Sequence, residues 1–209
     1  MNTNAARMGV HNLASHQPVW QLYGVLSFTC SVLNQAVVIF APQYSTTKTT
    51  TASIAAGSKD SNNNDNNNKK VIQTAFCRTV LLLGFCVGLS GGTIIIILFN
   101  NFPQMFSSSS HLYPTMQKVA PFAFFGLILN GMDTVLEGLL IANNNSRYLG
   151  FAMWMNCLVV FLFTTISNTL SKEATVGIFS VWSCLVVFFV SRVSLNFWKT
   201  RKLFFPVKY

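Results

Sequence analysis

Four residues of one apolar stretch hold the side chains best suited to ion chemistry. Between Pro121 and Ala142 stand Asn130, Asp133, Thr134 and Glu137, spaced i, i+3, i+4 and i+7. With 3.6 residues per turn, that spacing puts all four on one face of a helix. Asp133 and Glu137 are the only acids inside any apolar stretch of the chain. A carboxylate at the centre of a bilayer costs about 3 kcal/mol or more, so this face must look into the protein or into a water-filled cavity. Two carboxylates one turn apart also repel, and burial disfavours carrying both charges together. The set is therefore a candidate proton or cation site, with Asn130 and Thr134 offering neutral oxygens. A structural reading stands beside it. Counted from the inner ends of their stretches, Glu137 lies about five residues in and Arg192 about six, roughly 8–9 Å deep at 1.5 Å per residue. A Glu137–Arg192 pair would then tie two helices together. Asp133 lies nearer the midplane and has no evident basic partner in the sequence, so coupling and structure both remain open for it.

The element that positions these residues must be a membrane span. Of 209 residues, 51% are hydrophobic and 9% charged, against about 25% charged in an average soluble domain. Five stretches are long and apolar enough to cross a hydrocarbon core of about 30 Å, at 19–41, 78–99, 120–142, 149–167 and 175–198. The expected fold is an all-α integral membrane protein in a lipid bilayer. The spans are flanked by a lead-in over 1–18, a loop over 42–77, an outer loop over 100–119, a short inner loop over 143–148, an outer loop over 168–174 and a basic tail over 199–209. The Thr-, Ser- and Asn-rich part of the long loop, 44–70, buries too little apolar area to order itself and is expected to be disordered.

The basic residues set an orientation. Nine lie on one side: Lys48, Lys59, Lys69, Lys70, Arg147, Lys199, Arg201, Lys202 and Lys208; three, Arg7, Lys118 and Lys172, lie on the other. The positive-inside rule puts the nine on the cytosolic or stromal side and the start of the chain outside. The sequon Asn144-Asn145-Ser146 then falls in a tight inner loop, where it is expected to go unused. The basic residues form no continuous stripe, which argues against a nucleic-acid partner. An external start followed by five spans without a cleavable leader is expected of the later part of a longer molecule.

Other polar and small residues have two readings each. Asn34 and Gln35 sit mid-span, where their amides either line a substrate path or join helices by hydrogen bonds. Gly84, Gly88 and Gly92 recur every four residues and suit close helix approach. The cysteines Cys30, Cys77, Cys86, Cys157 and Cys184 lack metal or redox spacing and read as packing residues. No nucleophile elbow, phosphate loop or His/Cys metal set is present, so neither an enzyme nor a bound metal or organic cofactor is expected.

Two stretches together resemble the multidrug and toxic compound extrusion (MATE) transporters, in particular their plastid-type plant and algal branch. The first runs Ala5-Ala-Arg-Met-Gly9, Ala14-Ser-His-Gln17, Leu22-Tyr23, Asn34-Gln-Ala36 and Ala41-Pro42, similar to the start of that family's eighth helix. The second is Leu136-Glu-Gly-Leu-Leu-Ile-Ala142 with Arg147-Tyr148, similar to the tenth helix and the turn after it, where Asn145 stands in place of the family's acid; Phe102-Pro-Gln-Met-Phe106 resembles the outer loop. The resemblance implies helices eight to twelve, most of the C-terminal six-helix lobe. It also implies a secondary antiporter that exports organic solutes or xenobiotics in exchange for H+ or Na+, with an N-terminal lobe supplied in cis or in trans. The membrane would be plasma, vacuolar or plastid. A non-transporting membrane scaffold or partner subunit, or an inactive fragment, is the alternative.

Overall fold

In hydrocarbon, every backbone N–H and C=O must be satisfied within its own segment, which leaves the α-helix as the form for isolated apolar spans. The computed structural model describes residues 10–46, 62–170 and 174–204, and side chains within most of that range. Ala5–Gly9 of the family-like stretch, together with Arg7, Lys48, Lys59, Lys172 and Lys208, lies outside the described residues. Among the described residues there are five long helices and no strand: α1 (Val10–Thr46), α2 (Asn62–Asn101), α3 (Tyr113–Ala142), α4 (Ser146–Leu170) and α5 (Ala174–Phe204). Each contains a stretch long and apolar enough to cross a membrane. Two 3-10 turns, Pro103–Met105 and Ser110–Leu112, lead from α2 into α3.

Helix ends depart from the hydropathy limits. Helix α1 starts at Val10, nine residues before the predicted span at 19, and α2 starts at Asn62 within the stretch expected to be disordered. The physical reason is that hydropathy registers the lipid-crossing part alone. Once a helix is nucleated, adding a residue fixes little further entropy per hydrogen bond gained, so the helix runs on past the apolar segment.

Helix α3 is the hub. Its most apolar stretch is 56% buried, against 17% for α1 and 11% for α4. Glycines allow the closest approach to it. A Cβ on Gly84 would stand 2.6 Å from the Gly131 carbonyl oxygen, and one on Gly88 2.5 Å from that of Leu127. One on Gly92 would meet Phe124, so α2 runs antiparallel along α3 with almost bare backbone between them. On the other flanks, Gly126 fits between Tyr23 of α1 and Leu185 of α5, while Gly138 lies against Asn34 and Val37.

Two apolar clusters fill the bundle. One gathers Phe99, Met116, Leu127, Ile178 and Trp182 toward one end; the other gathers Val37, Cys77, Leu136, Leu139 and Phe204 toward the opposite end. Helix α4 stands outboard, held through α5 by a ladder of polar contacts. The Tyr148 hydroxyl donates to the Leu195 carbonyl at 2.7 Å, Ser191 donates to Asn156, Thr164 pairs with Cys184 at 3.5 Å, and Ser167 pairs with Ser180.

The α3–α4 turn closes with a Schellman-type cap. Asn145 N–H donates to the Leu140 carbonyl and Asn144 N–H to that of Ile141, both at 2.9 Å, and Asn144 has φ of 59°. Asparagine is the non-glycine residue that best tolerates this left-handed position.

Candidate functional site

Between the two apolar clusters lies a polar layer built by α3 and α5. Asp133 is 2% exposed. Its Oδ1 accepts a hydrogen bond from Asn196 Nδ2 at 2.9 Å, and its Oδ2 stands 2.8 Å from Arg192 Nε. That second contact is an ion pair. One turn along α3, Glu137 Oε2 accepts from Arg192 Nη2 at 2.6 Å. The guanidinium thus bridges both carboxylates, and its face lies 5.7 Å from the Phe188 ring centroid. Side-chain exposures of 11% for Arg192, 3% for Asp133 and 23% for Glu137 place the cluster inside the bundle, with Glu137 at its edge.

The helix register explains this convergence. Asp133 and Glu137 are four residues apart on α3, as are Arg192 and Asn196 on α5, so each helix offers two adjacent positions on one face. Arginine's planar fork of donors lets a single side chain serve two acids.

The remaining predicted residues divide. Thr134 is buried on the same helix, yet its hydroxyl donates to the Asn130 carbonyl at 2.5 Å, so its proton is committed to its own backbone and not to a carboxylate. Asn130 enters the cluster only through that backbone oxygen. Asn34 faces α3: a Cβ on Gly138 would stand 3.1 Å from its Oδ1. Gln35, about 100° further round α1, is exposed, so the two amides do not line one path.

Asp133, which has no evident basic partner by sequence, shares Arg192 with Glu137. Sequence alone does not single out Asn196 and Asn156. Their signal is position: Asn196 falls one turn beyond Arg192, and Asn156 reaches Ser191, the residue before it. His16 is likewise fully buried, with its ring stacked on Trp20 and edge-on to Trp182 at 5.9 and 5.5 Å between centroids. Among the described residues, no three His, Cys, Asp or Glu side chains gather as a metal site.

Chemically, the layer holds two carboxylates against one guanidinium. If all three are ionised, the cluster carries one net negative charge among apolar side chains, and one proton or one monovalent cation neutralises it. Fold and site together define an all-α protein with five helices fit to cross a membrane and a buried ion cluster linking two of them. No protein-family model matches the chain, and no curated protein or solved structure matches it.

Proposed function

We propose that the chain belongs to a secondary active transporter of the MATE type, exporting organic solutes in exchange for H+ or Na+ and working with a further lobe in cis or in trans. The observation that carries the coupling role is the charge imbalance of the Asp133–Arg192–Glu137 cluster. Ionisable groups within a membrane bundle commonly mark ion pathways, and this cluster reaches neutrality by taking up a single H+ or Na+. Because Arg192 joins α3 to α5, loading or unloading that cation changes the strength of a helix–helix tie, which is what coupling a gradient to a conformational change requires. The order and spacing of the family-like motifs support the transporter class. Rocking of two lobes about a midplane site would supply alternating access.

The test is export of a cationic dye and of an aromatic acid by an efflux-deficient host expressing the protein, with and without a pH or sodium gradient. Asp133→Asn and Glu137→Gln are expected to reduce gradient-dependent export severalfold while the protein still reaches the membrane. Export unchanged in both variants removes the acids from the coupling role. No gradient-dependent export by the wild type overturns the transport reading.

A second reading has its own observation. The same Arg192 contacts to both acids suit a static tie in a non-transporting membrane scaffold. On this reading the cluster contributes to stability alone, and neither the wild type nor a triple variant neutralising all three residues supports gradient-dependent export.

A further inference from the structure

The two least-buried helices present different open faces. Helix α4 exposes Phe151, Trp154, Leu158, Phe161, Leu162 and Ile166, a surface that suits lipid. Exposed hydroxyls on the other spans, such as Ser90, Thr93, Thr165 and Ser194, donate to carbonyls of their own helices, and hydrocarbon tolerates that arrangement. Helix α1 is the exception. Its open face carries Gln17, Gln21 and Gln35, all exposed, and lipid offers an amide neither donor nor acceptor. Within the crossing stretch Ala14–Pro42, Gln21 and Gln35 lie symmetrically about Phe28. Each is seven residues from it, or about 10 Å at 1.5 Å per residue, which is inside a hydrocarbon half-thickness of about 15 Å.

The spacing of that face identifies its occupant. Gln17, Gln21, Gly24, Phe28, Ser31 and Gln35 follow one another at intervals of four, three, four, three and four. This is the a/d pattern of a coiled-coil seam, with period 3.5. One set of positions holds Gln21, Phe28 and Gln35; the other holds Gln17, Gly24 and Ser31. Gly24 has no atom within 4 Å of where a Cβ would stand, and Phe28 is 73% exposed. Small residues at Gly24 and Ser31 permit close helix approach at the levels between the amides. Copies of one chain inserted with the same topology pack in parallel about a two-fold axis along the membrane normal, which sets each seam residue opposite itself. A carboxamide is both donor and acceptor, so Gln opposite Gln is self-complementary at every level, as two like charges would not be.

We propose that α1 is a homodimerisation helix through which two copies of this chain pack in parallel, closing the Gln17, Gln21 and Gln35 amides on one another. The inference stands on α1 alone and does not depend on the transport reading.

The test uses the full chain in proteoliposomes at a series of protein-to-lipid ratios. Fluorescence energy transfer between separately labelled copies is expected to show a dimer whose dissociation constant rises at least about fivefold in Gln21→Leu/Gln35→Leu, as expected for lost interhelical hydrogen bonds. In a background with the native cysteines replaced by alanine, oxidation is expected to cross-link Ser31→Cys into a dimer and to leave Thr29→Cys, off the seam on the same helix, as a monomer. A wild-type chain that stays monomeric at every ratio overturns the proposal. Rapid labelling of Ser31→Cys by a membrane-impermeant maleimide also overturns it, because water and not a second copy then covers the face. So does a Ser31→Cys cross-link to a different host protein.

Discussion

Arg192 Nε stands 2.8 Å from Asp133 Oδ2, and the same guanidinium reaches Glu137 one turn away with Nη2 at 2.6 Å. Removing the cation leaves two carboxylates facing each other across a helical turn, Asp133 buried and Glu137 at the edge of the bundle. Arg192→Gln is therefore expected to lose about 3–5 kcal/mol, the usual consequence of breaking a buried pair from one side. Replacing all three groups together, Asp133→Asn/Glu137→Gln/Arg192→Gln, removes the stranded charges as well and is expected to recover most of that loss. Thermal unfolding of detergent-solubilised protein, followed by loss of the monodisperse peak, reads both variants. A triple variant no more stable than Arg192→Gln would show that the ion cluster is not what the single change disturbs.

Where α2 crosses α3, the contact is backbone on backbone. A Cβ on Gly88 would stand 2.5 Å from the Leu127 carbonyl oxygen and 2.8 Å from Ile128 Cα. Neither atom can rotate away, so Gly88→Ala must push the helices apart and is expected to destabilise by about 1–3 kcal/mol, the range for overpacking. Gly150 on α4 has nothing within 4 Å of its would-be Cβ. Gly150→Ala is expected to be neutral or to add up to about 1 kcal/mol through helix propensity. Melting temperatures of the two variants should move in opposite directions or leave Gly150→Ala unmoved; equal losses would contradict the close-approach geometry.

These two regions differ in how far the sequence discloses them. Gly84, Gly88 and Gly92 announce a close-packing face because a four-residue repeat of residues without side chains has few other uses in a membrane helix. Which helix they meet is not written there, since Gly131 and Leu127 belong to a stretch whose polar residues draw attention elsewhere. Glu137 and Arg192 can be matched because both lie at similar depth from the same membrane face, and depth along a span is arithmetic. Asp133 escapes that arithmetic. The predicted end of the fifth stretch at 198 sets Arg192 three residues lower than Asp133, whereas the crossing stretch of α5 runs on to Arg201 and leaves Asp133 and Arg192 each nine residues from the inner end; Asn196 one turn beyond completes its partners. Helix limits were the least legible, as the start of α2 at Asn62 demonstrates: hydropathy reports on solvent, whereas helix ends follow hydrogen bonding.

Helix α4 depends on α5 for its place. The contacts descend in order along the antiparallel pair, from Tyr148 with Leu195 through Asn156 with Ser191 to Ser167 with Ser180. In membranes there is little hydrophobic drive between helices, and single interhelical hydrogen bonds average about 0.6 kcal/mol with a maximum of about 1.7. A double-mutant cycle on Asn156→Leu and Ser191→Ala is expected to give a coupling energy in that range. Tyr148→Phe, which removes the donor to the Leu195 carbonyl, is expected to cost a similar amount. Reversible unfolding in mixed micelles measures each term, and a coupling indistinguishable from zero would show that apolar packing alone holds α4 to α5.

The turn between α3 and α4 aligns that pair with the rest of the bundle, and Asn144 is its pivot. With φ at 59° the residue occupies a conformation that places an ordinary Cβ close to the following carbonyl, at a penalty of roughly 1–2 kcal/mol for most side chains. Glycine has no such penalty, but it loses more freedom on folding. Asn144→Gly is therefore expected to leave stability within about 1 kcal/mol of wild type. Asn144→Val combines the left-handed backbone with a β-branched side chain and is expected to lose about 1–2 kcal/mol by weakening the cap. Hydrogen exchange reads that weakening directly. The Asn144 and Asn145 amides, held at 2.9 Å by Ile141 and Leu140, should exchange slowly in wild type and in Asn144→Gly but quickly in Asn144→Val. Unchanged protection in the valine variant would mean that the Schellman-type cap is not set by this residue.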